Sequence, residues 1–143
     1  MTQVLVVDDS DTLRQMIRTM LEPEGYAVAE ANDGVEALAA LRASAEPRVV
    51  LLDYYMPNLD GGDVLKAVLA DDAAPMKCEY IVISSSVGTF PDDFIDLVRH
   101  LSVRILTKPF SKTVLVSAVA QAAARLNLPG DEPTPLAPEG EQP

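Results

Sequence analysis

Ionisable and hydroxyl side chains stand where apolar stretches of this sequence end. Asp8 and Asp9 come directly after the first apolar stretch, Asp53 ends the third, Ser84 follows the fourth, and Lys108 follows the fifth. If these stretches are parallel strands of one sheet, their carboxyl ends meet at one edge. Three carboxylates, one ammonium group and one hydroxyl are then expected to share a small crevice.

This set of groups suits phosphoryl transfer to a carboxylate. Clustered carboxylates repel one another unless a cation neutralises them, and Mg²⁺ prefers oxygen ligands while keeping several waters. A carboxylate such as Asp53 can act as a nucleophile and form an aspartyl phosphate. The transfer then needs positioning and neutralisation of the phosphoryl oxygens, which Mg²⁺, Lys108 and a hydrogen bond from Ser84 can supply.

Plainer interpretations exist for some of these residues. Taken alone, Asp8 and Asp9 are typical of a solvated strand end or a helix cap. Ser85 and Ser86 are adjacent to Ser84, which is preferred because it directly follows the apolar run of residues 81–83.

The chain has one cysteine, Cys78, and one histidine, His100. With no second cysteine and no nearby histidine partner, Cys78 is interpreted as a small inert residue. His100 falls within a predicted helix, far in sequence from the crevice residues, and is interpreted as a surface side chain.

The elements that must position the crevice alternate between strand and helix. The predicted strands are residues 4–7, 26–30, 49–52, 81–83 and 103–106. Helices are predicted after Asp11 as N-cap up to Gly25, after Asp33, and over residues 62–71, 92–100 and 112–126. Asp60-Gly61-Gly62 is interpreted as a turn that uses the backbone freedom of glycine. Five such units predict an α/β fold, a parallel sheet covered by helices on both faces.

Four segments together resemble the receiver domain of response regulators in two-component signalling. They are VVDDS, ANDGVEAL, DYYMPNLDG and KPF, at residues 6–10, 31–38, 53–61 and 108–110. The resemblance covers residues 3–126 and implies a doubly wound, flavodoxin-like sheet with strand order 2-1-3-4-5. We expect a receiver domain over residues 1–127 and an acidic, proline-rich tail over residues 128–143.

The resemblance implies a role for each acidic residue of the crevice. Asp53 corresponds to the phosphoacceptor. Asp9 corresponds to a direct Mg²⁺ ligand, and Asp8 beside it acts through water. The backbone carbonyl of Tyr55 corresponds to the third protein ligand.

The resemblance also implies how phosphate is bound and sensed, with one departure. Lys108 corresponds to the phosphate-binding lysine and is joined to Pro109 by a cis bond, and Ser84 corresponds to the switch hydroxyl. The family often has an aromatic residue three positions before the lysine, where this chain has Ile105. The phosphorylation chemistry is therefore expected, while the aromatic half of the usual switch is in question.

The implied function is to take a phosphoryl group from a histidine kinase or a histidine phosphotransfer protein and to signal to a downstream protein target. Such a domain catalyses only its own phosphorylation and dephosphorylation, so it is not expected to be an enzyme in the usual sense. Alternatives are a relay intermediate that passes phosphate to a histidine phosphotransfer protein, or the receiver part of a longer regulator. A phosphatase with an aspartyl nucleophile is disfavoured, because Asp8-Asp9 lacks the Asp-x-Asp spacing of such enzymes.

Composition narrows the partners and the location. The net charge is −11 and the eleven Lys and Arg residues are scattered, which disfavours direct binding to nucleic acid. No apolar run is long enough to span a bilayer. With a single cysteine, a cytoplasmic protein is expected.

The last predicted helix has a narrow polar stripe. The stripe consists of Ser117, Gln121 and Arg125. A helix with one face in water normally has a broader polar face, so Val116, Ala120 and Ala123 are expected to present apolar surface. We expect a homodimer or a target complex through this helix, unless neighbouring helices cover both of its flanks.

Overall fold

The protein is described here by a computed structural model over residues 2–70, 78–85 and 90–127. Five parallel strands form one sheet in the order β2-β1-β3-β4-β5, which confirms the expected fold. The strands are β1 Gln3–Val7, β2 Ala27–Ala31, β3 Arg48–Asp53, β4 Cys78–Ser84 and β5 Arg104–Thr107.

Helices connect the strands and cover both faces of the sheet. They are α1 Asp11–Leu21, α2 Gly34–Ala43, α3 Gly61–Ala70, α4 Asp92–Leu101 and α5 Lys112–Asn127. One core cluster lies between the sheet and α2, α3 and α4, and includes Leu52, Val64 and Phe94. The other lies between the sheet and α1 and α5, and includes Ile17 and Leu115. All six residues of β3 are buried, as expected for the central strand of a sheet covered on both sides.

The first helix is capped one residue earlier than the sequence indicated. The N-cap is Ser10, whose hydroxyl accepts the N–H of Leu13 at 3.1 Å, and Asp11 is the first helical residue. Serine and aspartate cap helices about equally well, so the pattern alone did not separate them. The helix ends at Leu21, and Gly25 (φ 96°) instead ends a short 3₁₀ turn over Glu22–Glu24.

The interpretation of Asp60-Gly61-Gly62 as a turn that needs the backbone freedom of glycine was wrong. Gly61 and Gly62 both lie in α3 and neither has a positive φ. Gly61 is needed for space, because a Cβ there would lie 3.0 Å from the carbonyl oxygen of Asp53 and 3.0 Å from the Cα of Tyr54. Asp60 and Asp63 cap the helix reciprocally, each backbone N–H donating to the other carboxylate at 3.0 and 2.8 Å.

The exposed apolar face of α5 is narrower than the sequence indicated. Ala123 is buried against the sheet, Val116 is half-buried and Ala120 is exposed. The rotation of a helix against its sheet depends on tertiary packing, which an alanine-rich helix specifies poorly from sequence. Residues 71, 86 and 128–143, on which parts of the predictions fall, lie outside the described residues.

None of the helices in residues 2–70, 78–85 and 90–127 combines the length and the apolar character that crossing a membrane requires.

Candidate functional site

The carboxyl edge of the sheet brings the predicted residues together. One carboxylate oxygen from each of Asp8, Asp9 and Asp53 lies within 4.8 Å of the other two. The Nζ atom of Lys108 is 3.3 Å from Oδ1 of Asp53 and 3.4 Å from Oδ2 of Asp8. Ser84 is buried at the end of β4, next to the strand that carries Asp53. The convergence expected from parallel strands therefore occurs.

The two adjacent aspartates differ in how firmly they are held. Asp8 is buried, its Oδ1 accepts the backbone N–H of Ser10 at 2.8 Å, and its own N–H donates to the carbonyl of Ala31 at 3.2 Å. Asp9 is exposed, and within the described part of the chain no group donates a hydrogen bond to its carboxylate. Asp9 is thus the carboxylate whose oxygens face solvent at the site.

Burial and like charge act together on Asp53. The Asp53 residue is 5% exposed, and burial, followed by the charge of Asp8, raises the pKa of its carboxyl group to about 6, although Lys108 opposes the shift. With one ammonium group beside three carboxylates, the cluster also has an excess of negative groups. The group is still mainly ionised at pH 7 and available as a nucleophile.

A divalent cation of the Mg²⁺ type fits this donor set. The three carboxylates offer hard oxygen atoms at a mutual distance that one ion can bridge. The charge of Asp8, which after burial is the next cause of the raised pKa of Asp53, is what such an ion neutralises. Asp9 is exposed, which leaves room for the waters that Mg²⁺ retains.

The loop after β3 is fixed by an aromatic cluster that the sequence analysis did not identify. The buried ring of Tyr54 lies 4.7 Å from Tyr55, 4.8 Å from Phe90 and 4.6 Å from Phe94, measured between ring centroids. Burial raises the pKa of Tyr54 to about 12. The spacing of four between Phe90 and Phe94 is the signal that could have pointed to one aromatic face at the start of α4. Tyr55, unlike Tyr54, is exposed.

The ends of β4 and β5 are joined beside Ser84. The backbone N–H of Lys108 donates to the carbonyl of Ser84 at 2.9 Å, and the bond from Lys108 to Pro109 is cis, as the resemblance implied. Ser84 is buried whereas Ser85 is exposed, so the two serines are in different environments. Ile105 is half-buried and packs with the core cluster on the α2–α4 side.

Arg14 is a second feature that sequence reasoning missed. This arginine is buried beneath the crevice, and its Nη1 donates to the backbone carbonyl of Asp8 at 2.6 Å. Nothing in the spacing of an arginine within a helix indicates that its side chain turns back to a strand end.

Neither Cys78 nor His100 belongs to the site. Cys78 begins β4, at the opposite end of that strand from Ser84, and burial raises the pKa of its thiol. His100 is exposed near the end of α4, as expected.

Comparison with known proteins agrees with the geometry. The family model described as the response regulator receiver domain matches residues 4–120. Protein PilG of Pseudomonas aeruginosa is 37% identical over 82% of this chain and 84% of PilG. The DNA-binding response regulator MtrA of Mycobacterium tuberculosis is 32% identical over 94% of this chain, which spans only 54% of MtrA.

Solved receiver structures have the same fold. A CheY-like receiver domain protein from Methanospirillum hungatei superposes with a TM-score of 0.77 at 26% identity, covering 87% of this chain and 96% of that protein. The chemotaxis response regulator CheY4 of Vibrio cholerae superposes with a TM-score of 0.71 at 29% identity, covering 85% of this chain and 98% of that one.

Proposed function

Because the chain belongs to the response-regulator receiver family of two-component signalling, we propose that Asp53 is its phosphoacceptor in a Mg²⁺-dependent reaction. The observation that carries this proposal is the position of the Lys108 ammonium group, 3.3 Å from Asp53 and 3.4 Å from Asp8. A lysine placed there can hold a phosphoryl group on Asp53 and neutralise its charge.

The bond changes are simple. A carboxylate oxygen of Asp53 forms a bond to phosphorus, while the bond from phosphorus to the donor, a histidine nitrogen of a kinase or phosphotransfer protein, breaks. The departing imidazole nitrogen takes up a proton. Asp53 is available for this attack because its pKa of about 6 leaves it ionised at neutral pH.

The remaining residues position and neutralise charge. Mg²⁺, when bound, supplies positive charge beside the phosphoryl oxygens. The residues that would hold it are Asp9 and Asp53 through their carboxylates and Tyr55 through its backbone carbonyl, with Asp8 acting through water. Asp8 suits an indirect role because its oxygens already contact Ser10 and Lys108.

Ser84 is the residue through which phosphorylation is sensed. Ser84 is buried at the end of β4, and its backbone carbonyl accepts a hydrogen bond from the backbone N–H of Lys108. A hydroxyl that turns towards the phosphoryl group shifts the β4 end and vacates space near Ile105. A shift in the equilibrium between two states requires contacts of this kind that differ between them. The partners are a histidine kinase or phosphotransfer protein upstream and a protein target downstream.

The test is phosphorylation by acetyl phosphate and Mg²⁺, followed by intact-mass measurement. We expect one base-labile phosphoryl group on the wild type and none on Asp53→Asn. The matched control is Asp33→Asn, because Asp33 is the N-cap of α2 and asparagine caps helices equally well. Equal labelling of Asp53→Asn and the wild type would remove Asp53 as the acceptor.

A further inference from the structure

The backbone carbonyl of Asp8 has an unusual partner. Asp8 is the residue after β1, and its N–H makes a last bond to the neighbouring strand, at the carbonyl of Ala31. Its carbonyl accepts instead from the buried guanidinium of Arg14, with 2.6 Å between Nη1 and the oxygen. A charged donor makes this a strong bond for a backbone carbonyl.

Arg14 is itself fixed from two other sides. Its Nε donates to Oε1 of Glu30 on β2 at 2.9 Å, and its Nη2 pairs with Asp11 in the first turn of α1. The side chain is only 11% exposed. Burial alone lowers the pKa of Arg14, but the bonds to Glu30 and Asp11 raise it overall, so the group stays charged.

The fixed carbonyl has a consequence for Asp9. The carbonyl of Asp8 and the N–H and Cα of Asp9 belong to one peptide unit, which is planar. Holding the carbonyl oxygen therefore holds the peptide plane from which the Asp9 side chain projects. No described residue donates a hydrogen bond to the Asp9 carboxylate, so its direction depends on the two peptide units beside it: this one, held by Arg14, and the next, whose N–H at Ser10 donates to Oδ1 of Asp8.

We propose that Arg14 is a positioning residue, which orients the peptide between Asp8 and Asp9 so that the Asp9 carboxylate faces Asp53. This inference rests on the proposed function, since it concerns the same Mg²⁺ site. Arg14 does not touch the carboxylate oxygens of the site, so it is not a catalytic residue. Groups that orient metal ligands from outside commonly change metal affinity by roughly 10–100-fold.

Arg18 provides a matched control on the same helix. It also contacts Glu30, with Nη2 2.8 Å from Oε2, and it pairs with Glu22, but it has no contact with Asp8 in the described structure. Replacing either arginine by methionine keeps an apolar stem and leaves Glu30 one arginine partner. Only the change at residue 14 removes the bond to the Asp8 carbonyl.

The experiment is a Mg²⁺ titration of Arg14→Met and Arg18→Met, followed by tyrosine fluorescence. The chain has no tryptophan, and Tyr54 and Tyr55 directly follow Asp53 in the sequence. Thermal unfolding of each variant is measured first, and the titrations are made below both transitions. We expect Arg14→Met to lose about tenfold or more in Mg²⁺ affinity. Arg18→Met should keep it within about twofold, because Arg18 makes no bond to Asp8 and a partly exposed ion pair contributes little.

Two further measurements separate positioning from loss of stability. Saturating Mg²⁺ should restore most of the phosphorylation rate of Arg14→Met, because the reacting groups themselves are intact. Arg14→Lys should have intermediate affinity, since one ammonium group can bond to Asp8 or to Glu30 but not to both.

The outcomes distinguish this inference from the proposed function. Mg²⁺ affinity that is equal in Arg14→Met and Arg18→Met, or unchanged in both Arg14→Met and Arg14→Lys, overturns the positioning role. Asp9→Ala is the reference: if it binds Mg²⁺ as the wild type does, the metal site of the proposed function fails instead.

Discussion

The backbone N–H of Gly61 donates to the carbonyl of Tyr54 across a distance of 2.8 Å. This bond closes the loop after β3 back onto the start of α3. The loop carries the Tyr55 carbonyl proposed as a metal ligand, so its shape matters for the site. A Cβ at residue 61 would meet backbone atoms of Asp53 and Tyr54, which cannot move aside without shifting the strand end.

We therefore expect Gly61→Ala to destabilise the protein by about 1–3 kcal/mol, the usual effect of forcing an added methyl into packed structure. Gly62→Ala is the control. Its added Cβ would lie 3.2 Å from side-chain atoms of Asp60 and Phe94, farther than at Gly61 and not against backbone, so we expect a smaller loss, and alanine favours the helix. Urea unfolding of both variants measures the difference, and equal losses of unfolding free energy would contradict the close-approach argument.

The raised pKa of Asp53 predicts that removing its charge increases the stability of the protein, by an amount that depends on pH. With a pKa of about 6 in the folded state and 3.8 for an unperturbed aspartate, the folded protein binds more protons between these pH values. The contribution of Asp53 to stability is therefore present below about pH 4 and is lost as pH rises through about 6. Without Mg²⁺, Asp53→Asn should be more stable than the wild type by up to about 3 kcal/mol at pH 7.5.

Urea unfolding at several pH values measures this gain. The difference should shrink on acidification to about pH 4, and Mg²⁺ should reduce it at pH 7.5, because the ion stabilises the wild type. A gain that grows towards acidic pH would have the wrong sign and would contradict the assignment.

Loss of the exposed Asp9 carboxylate should weaken Mg²⁺ binding. Asp9→Ala removes a direct ligand and one negative charge. Loss of a group that only orients a ligand already lowers metal affinity by about tenfold, so the Mg²⁺ affinity of Asp9→Ala should fall by at least that factor. Asp96→Ala, which removes an exposed carboxylate of α4, is the control. A tyrosine-fluorescence titration in which the two variants bind Mg²⁺ equally would exclude Asp9 as a ligand.

The exposed ring of Tyr55 should prolong the life of the acyl phosphate. Tyr55 is 47% exposed, its ring is edge-on to Tyr54 at 4.7 Å, and it follows Asp53 by two residues, so we expect the ring to shield the phosphoryl group from attacking water. Phosphorylated wild type should lose phosphate more slowly than Tyr55→Asn, while Tyr55→Phe should behave as the wild type. The decay of intact phosphoprotein mass measures the rates, and equal decay in all three proteins would refute shielding.

The convergence of Asp53 and Lys108 was predictable because topology alone enforces it. Once the strands are parallel, residues at their carboxyl ends meet at one edge, whatever the details of packing. The predicted strand bounds were less accurate. β4 begins at Cys78, three residues before the predicted start, because its first residues are only half-buried and carry polar groups.

The contact between Arg14 and the Asp8 carbonyl could not be predicted in this way. It depends on how the chain turns at the Ser10 cap and on where β2 places Glu30, and neither is encoded in local spacing. The burial of Ala123 has the same origin, since the rotation of α5 is set by the sheet beneath it.

The last prediction concerns association through α5. Val116 and Ala120 border a groove of about 510 Å³, together with Lys112, Ser117 and Glu24 of the 3₁₀ turn. Helix α5 begins four residues after Lys108, and the backbone N–H of Lys108 donates a hydrogen bond to the carbonyl of Ser84. A change at the phosphorylated site can therefore be transmitted to the start of α5.

We expect phosphorylation to strengthen self-association through this groove, and Val116→Glu to abolish the gain by placing a charge on apolar surface. Val114→Glu is a matched control, because Val114 is 44% exposed on the same helix but does not line the groove. The net charge of −11 opposes association of two copies, so sedimentation is compared at low salt and at about 0.15 M, where such repulsion is screened. A gain on phosphorylation that survives Val116→Glu but not Val114→Glu would place the interface on another face of α5.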